Sequence, residues 1–445
     1  MPLNDCLNNI RSYINTPQKT EQQGMFRVTV VAFEDKCNLN CGKRFAELLN
    51  GNPLFEVNFC NEIFPKGFLN LQGRNFFDFI DQGNRILAEN NSDIVIWGYE
   101  ESGKIRLNFQ TPSQYVIPNE LSFSLLDGLF VPLSYFADVS KFSASLLLMI
   151  YGIIVAAITP VTNEQKQHKP GILKEIIQLL SADTSPKDLS REFMPFIMNM
   201  LGKIYLSNAQ NNFQQKDVEI IESLLSAALK NTQYLHLPIY YGCIYNNLGQ
   251  LYETAFGCLK ENKAEYLKSA IKFYREAQKY MTRNYPYDYG IIAYHLSRLH
   301  FEFWKKSDDL QALRDAVAQL REAEKVYTLA QFPQSWCHVE EKLGYYLCCL
   351  GSNIKSNEIM QLAVTAYQNQ QKIYGQYDFP KEWAKVQEEI GNVYYMLGKD
   401  NDDDNFMYEA RNYYNSALEV HSKLKDKEAA ENIRQRLLKL KNYIS

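Results

Sequence analysis

Four prolines set the register of the carboxy-terminal half of the chain. Pro238, Pro286, Pro333 and Pro380 stand 48, 47 and 47 residues apart. Three residues after each comes an aromatic: Tyr241, Tyr289, Trp336 or Trp383. Ten and eleven residues after each come an aliphatic residue and a small one: Leu248-Gly249, Leu296-Ser297, Leu343-Gly344 and Ile390-Gly391. Further on lie Ala270, Ala316, Ala363 and Ala410, followed four residues later by Tyr274, Leu320, Tyr367 and Tyr414. Ala277, Ala323 and Ala417 complete three of the copies, and Gln370 stands in the fourth. An earlier copy begins at Leu201-Gly202, 47 residues before Leu248-Gly249, and closes on Ala228. Self-similarity at a fixed period implies one supersecondary unit stacked on itself. Spacings of four and seven keep the small positions on one helical face, so each unit reads as a helical hairpin whose backbones approach there. The proline ends each connection and fixes how the next helix begins.

This pattern resembles tetratricopeptide repeats. Leu248-Gly249-x-x-Tyr252 with Ala270, Tyr274 and Ala277, and Ile390-Gly391-x-x-Tyr394 with Ala410, Tyr414 and Ala417, follow that family's order of residues. The period is longer than the usual ~34 residues, and the "P-x-x-W/Y" start resembles a long-repeat variant of bacterial proteins. The resemblance covers residues 190–425, with a final amphipathic helix at 427–445 as a cap with a polar outer face. It implies a concave groove lined by the first helix of each hairpin. Carried over by register, the partner-binding positions are Asn246, Gln250, Glu253, Tyr294, Arg298, Glu341, Tyr345, Glu388, Asn392 and Tyr395. No lysine set accompanies Asn246 and Asn392, so the family's carboxylate clamp is not reproduced. Mixed Tyr, Glu and Asn suits a peptide or protein read by aromatic anchors, although tyrosines at these spacings serve equally to pack helices.

The amino-terminal third has another texture. After a polar segment, 1–24, "MFRVTVVAF" (25–33) and "LFEVNFC" (54–60) read as strands, with helices near 42–49 and at 75–90. "SDIVIWGYEESGKIRLNFQT" (92–111) reads as a hairpin turning at Glu101–Gly103, and 121–136 as a linking strand or turn. This β-α-β-α-β-β order makes 25–135 an α/β domain, similar to the TolB amino-terminal type. The whole reads as a small α/β amino-terminal domain followed by an all-α, tetratricopeptide-like superhelical solenoid.

Between the two lies "SASLLLMIYGIIVAAITP" (143–160), free of charge. Its length permits a membrane span, but its flanking lysines give no orienting asymmetry and Tyr151 falls mid-stretch. Tyr151-Gly152 also lies 50 residues before Leu201-Gly202. The segment 140–185 therefore reads as a buried helical hairpin joining the domains.

Catalytic and metal-binding patterns are absent. Cys37 and Cys41 resemble the opening of a radical-SAM cluster motif, but Arg44 stands where a third thiolate belongs. "DNDDDN" (400–405) lacks the glycine and final acid of a calcium loop, and His295 and His300 are five apart, off one helix face. Neither a phosphate-binding glycine loop nor G-x-S-x-G occurs. Nine cysteines without framework spacing, and a polar amino terminus, point to a reducing cytoplasm; export by a non-classical route is the alternative. A net charge of -4 without a basic block argues against nucleic acid. The reading is a non-enzymatic interaction scaffold or adaptor with no cofactor and no metal. Two others stand beside it: a ligand-sensing or enzymatic α/β domain using strand-end residues such as Asp35, Cys37 and Asp93, and a membrane-anchored assembly factor using 143–160.

Overall fold

The computed structural model describes residues 25–36, 39–63, 74–112, 117, 123–124, 127–182, 193–209, 212–234, 238–281, 285–441 and 443. The amino-terminal 24 residues and Cys37 lie outside that set. The chain divides into two compact units: one runs to Tyr289, and the other takes Gly290–Ser445 together with Val116–Pro118.

Unit one opens with a five-stranded sheet: β1 (Phe26–Ala32), β2 (Phe55–Ile63), β3 (Ile94–Glu101), β4 (Lys104–Gln110) and β5 (Leu129–Pro132), in the order β2-β1-β3-β4-β5. β1 pairs in parallel with β2 and β3, joined through α1 (Cys41–Asn50) and α2 (Arg74–Glu89), whereas β3, β4 and β5 run antiparallel. Most of β1 and the first five residues of β3 are buried, as central parallel strands require. Ser102 and Gly103 turn the β3–β4 hairpin with φ of 52° and 74°. Positive φ at both residues matches the twist of the flanking strands. The segment read as a linking strand or turn supplies β5.

Cross-strand partners share a face, and this separates two surfaces. Val28, Val30, Ile94, Ile96, Leu107 and Phe109 form an apolar one. The opposite face carries Arg106, Asn108 and Gln110 in a buried column on β4. A buried polar column needs hydrogen-bonding partners, and Gln110 finds one in the Ile80 carbonyl of α2 at 2.9 Å.

After a short α3 (Leu133–Ala137) the remainder is helical. α4 (Ala144–Ala157) is the charge-free stretch, capped by Ser143, whose Oγ accepts from Leu146 N. Ser145 to Ala156 are all buried, with the Tyr151 ring 5.5 Å from that of Phe55. A Cβ at Gly152 would stand 2.9 Å from Ile204 and 3.2 Å from Ile176, so this glycine is a close-contact position. No helix among the described residues is long and apolar enough to cross a membrane. α5 (Asn163–Ala182) is longer than the apolar run 172–180 that announces it, and holds Pro170 inside. Lys169, next to that proline, donates to the Ala156 and Ile158 carbonyls at 3.0 and 2.6 Å. It thereby satisfies groups that the end of α4 leaves without intrahelical partners. Burial pushes its ammonium down to about 8.

Unit one continues with α6 (Met194–Ala209), α7 (Gln215–Asn231), α8 (Pro238–Cys258) and α9 (Lys263–Tyr280). α10 (Pro286–Ser307) begins in unit one and carries the chain into unit two. There it is followed by α11 (Leu310–Glu324), α12 (Pro333–Ile354), α13 (Asn357–Gln370), α14 (Pro380–Asn401), α15 (Asp404–Lys423) and α16 (Lys427–Lys441). Each register proline opens a first helix, where its missing N–H costs nothing. Neighbouring helices pack in hairpins, and the repeat glycines explain how. A Cβ at Gly249, Gly344 or Gly391 would lie 2.7–2.9 Å from the ring of Tyr274, Tyr367 or Tyr414. The aromatic four residues past the alanine therefore rests on the bare glycine of the facing helix.

Candidate partner-binding surface

The register positions on the first helices meet two environments. In unit one they face the chain's own polar residues. The Asp127 carboxylate, just before β5, accepts from Asn199 of α6 at 3.1 Å and from Asn247 of α8 at 3.3 Å. It also accepts from Ser124 N at 3.0 Å, and Asn247 donates to Asn199 Oδ1 at 2.8 Å. Lys203 of α6 stands 4.0 Å from Asp127, 2.8 Å from Gln250 Oε1 and 4.8 Å from the centre of the Phe123 ring. Burial drives its ammonium down to about 8, and the Asp127 charge opposes that shift. Gln250 is left 2% exposed and Asn246 4%. Glu253 is half-buried and accepts from Tyr274 OH at 2.8 Å. Asp127 and Phe123 thus lie against the inner face of α6 and α8.

In unit two the register residues form a ladder. Tyr294 of α10 is buried and bonds His338 of α12 through its hydroxyl at 2.8 Å, with the Arg298 guanidinium 6.0 Å from the centre of its ring. Glu341 of α12 accepts from Lys385 of α14 at 2.7 Å. Glu388 of α14 meets His421 at 3.1 Å and Arg436 of α16 at 3.6 Å. Asn392 accepts from both Tyr414 and Arg436 at 2.8 Å. Tyr395 is half-buried, edge-on to Tyr443 at 5.9 Å. Tyr345 differs from them all, with 48% of its surface exposed and its ring 5.4 Å from Phe301.

His338, Lys385 and Arg436 were not among the residues the sequence singled out. Each pairs across 44 residues, as the contacts Tyr294–His338, Glu341–Lys385 and Asn392–Arg436 show. That interval is one repeat less about one helical turn, so complementary residues 44 apart are the signal that finds them.

The other chemistry weighed from the sequence is engaged in structure. Asp35 accepts from Leu39 N at 2.8 Å and Cys41 N at 3.0 Å, tying down the start of α1. Asp93 accepts from Arg27 Nη2 at 2.8 Å, Arg27 N at 2.9 Å and Gln165 of α5 at 3.0 Å. Burial and the Asp35 charge hold the Cys41 thiol well above its usual range. Asp403 caps α15, accepting from Asn405 N at 2.9 Å. His295 and His300 are both buried. Among the described residues no group of three or more His, Cys, Asp and Glu side chains could hold a metal ion.

Fold and surface together define a class: a small five-stranded α/β sheet followed by an all-α solenoid of paired helices. Among solved structures, the chain is similar to BtubC (BKLC) from P. vanneervenii, at 18% identity over 57% of this chain and 91% of that one, with a TM-score of 0.35. It is also similar to the S. pombe nuclear import adaptor Nro1, at 13% identity over 57% and 88%, with a TM-score of 0.34. No protein-family model matches the chain, and neither does any curated protein.

Proposed function

We propose that this chain is a non-enzymatic scaffold or adaptor that holds a peptide or folded protein against the first-helix face of α12 and α14. The observation that carries the reading is Tyr345, a half-exposed ring among side chains already fixed by partners. Binding energy concentrates in such anchors, with flanking polar groups giving register. Glu341 with Lys385, and Glu388, Asn392 and Tyr395, all on α12 and α14, supply mixed charge with donors and acceptors held by their own partners. Holding Glu341 and Glu388 in pairs beforehand reduces the side-chain ordering a partner must offset. The corresponding face of unit one is covered by Asp127 and its neighbours, so this reading assigns the partner to unit two. A photo-crosslinking amino acid at position 345 tests it, with one at the almost fully exposed Tyr377 as control. Position 345 is expected to yield a discrete protein adduct in cell extract that position 377 does not. Identical adducts from both positions, or none from 345, would remove the assignment.

A further inference from the structure

Residues 44 apart meet across neighbouring first helices of unit two, and α10 and α12 face each other in three successive rungs. Tyr294 with His338 is a hydrogen-bonded rung at 2.8 Å. Phe301 with Tyr345 is an aromatic one, with ring centres 5.4 Å apart. Between them the same interval sets Arg298 with Lys342, two cations on one rung. The steps from 338 to 342 to 345 keep the α12 members on one helical face, about one turn apart. Both charges reach the His338 imidazole. Burial first, then Lys342, Arg298 and Lys385, hold its pKa below the ordinary histidine value, with Glu341 opposing them. Glu341 is itself bonded by Lys385 at 2.7 Å. Glu302, one turn along α10 from Arg298, is bonded by Lys305 at 2.5 Å. Like charges set together are unfavourable, and a chain keeps such a local conflict where a function requires it.

Resting on the assignment of the partner to the face around Tyr345, we propose that the partner presents an acidic segment there. One carboxylate side chain lies over Arg298 and Lys342, and an apolar side chain packs on the Tyr345 ring. The carboxylate supplies the charge that the middle rung lacks. It does so at half-buried cations, where attraction is stronger than in open water. Arg298 brings a planar fork of donors that matches a carboxylate, and Lys342 a point charge. Tyr345, 48% exposed, offers the apolar contact one turn further along α12. A basic segment would instead add a third cation to the rung, so charge selects the partner while the ring anchors it.

The test uses the full chain and two labelled peptides read by fluorescence anisotropy. Each carries a central leucine; one is flanked by glutamates and the other by lysines. The acidic peptide is expected to bind about tenfold more tightly than the basic one, and to weaken with salt. Lys342→Glu should reverse that preference. Lys268→Glu, the same charge change at an exposed position of α9, should leave it in place. Tyr345→Ala should weaken the acidic peptide about tenfold. Unchanged helical circular dichroism in these variants keeps misfolding out of the comparison. Equal binding of the two peptides, weakened by Tyr345→Ala, would overturn the acidic assignment and leave the docking face standing. Acidic-peptide binding that Tyr345→Ala does not change would remove the docking face and the proposal with it. Equal losses in the Lys342 and Lys268 variants, or no binding of the acidic peptide up to about 1 mM, would also overturn the proposal.

Discussion

Glu340 is a carboxyl group on α12 with 1% of its surface exposed. Asn369 donates to one of its oxygens at 3.1 Å. Burial raises its pKa to about 7, and the neighbouring Glu324 adds to the rise. The folded pKa lies above the unfolded one, so between about 4.5 and 7 the native state binds more protons than the unfolded chain. Stability from this group is full below that window and is lost as pH climbs through it. The loss is on the order of 3 kcal/mol by pH 8. Gln387, one repeat later and also buried, shows that an amide fits the position. Glu340→Gln is therefore expected to flatten the fall in melting temperature between pH 5 and 8 and to raise it at pH 8. Parallel curves for the two proteins would contradict this. The repeat glycines were legible because a missing side chain recurs at a fixed interval. Glu340 was not, since one charged residue on a helix looks solvated until the packing around it is known.

At the scale of elements, hydrophobic pattern located most of what forms. The apolar hairpin strands, the charge-free α4 and the proline-opened helices all follow from local residues. The beginning of α5 does not, because "NEQKQHKP" has no apolar period and Pro170 reads as a stop. It is held by tertiary bonds instead: Gln165 donates to the Met25 carbonyl and to Asp93, and Lys169 donates to two carbonyls at the end of α4. β5 was visible only as an apolar stretch, and the role of the acid before it was invisible. Asp127 gathers Asn199, Asn247 and Lys203, residues 72 and more positions away in sequence, which no local pattern announces. Removing one partner of a buried charge pair typically costs about 3–5 kcal/mol, because the other is left uncompensated. Asp127→Ala should therefore lower the urea midpoint of the full chain, with Asp127→Asn falling in between. A midpoint indistinguishable from wild type in the alanine variant would show that the cluster contributes nothing.

At the scale of the whole molecule, the period determined the architecture and the register determined which residues share a face. The register did not reveal that the same repeat position is buried at Gln250 and half-exposed at Tyr345. Asn246 and Gln250 occupy the register places of residues on α12 and α14, yet they are enclosed because Asp127 and Lys203 complete their surroundings. Coverage is set by tertiary neighbours, so the candidate surface narrows from ten residues to those around Tyr345. The most direct measurement is quantitative affinity capture with the full chain, comparing wild type with a Tyr345→Ala, Glu388→Lys variant whose melting temperature is unchanged. The account expects at least one protein recovered with wild type to fall about tenfold or more in the variant. Recovery of every captured protein at equal yield would contradict it.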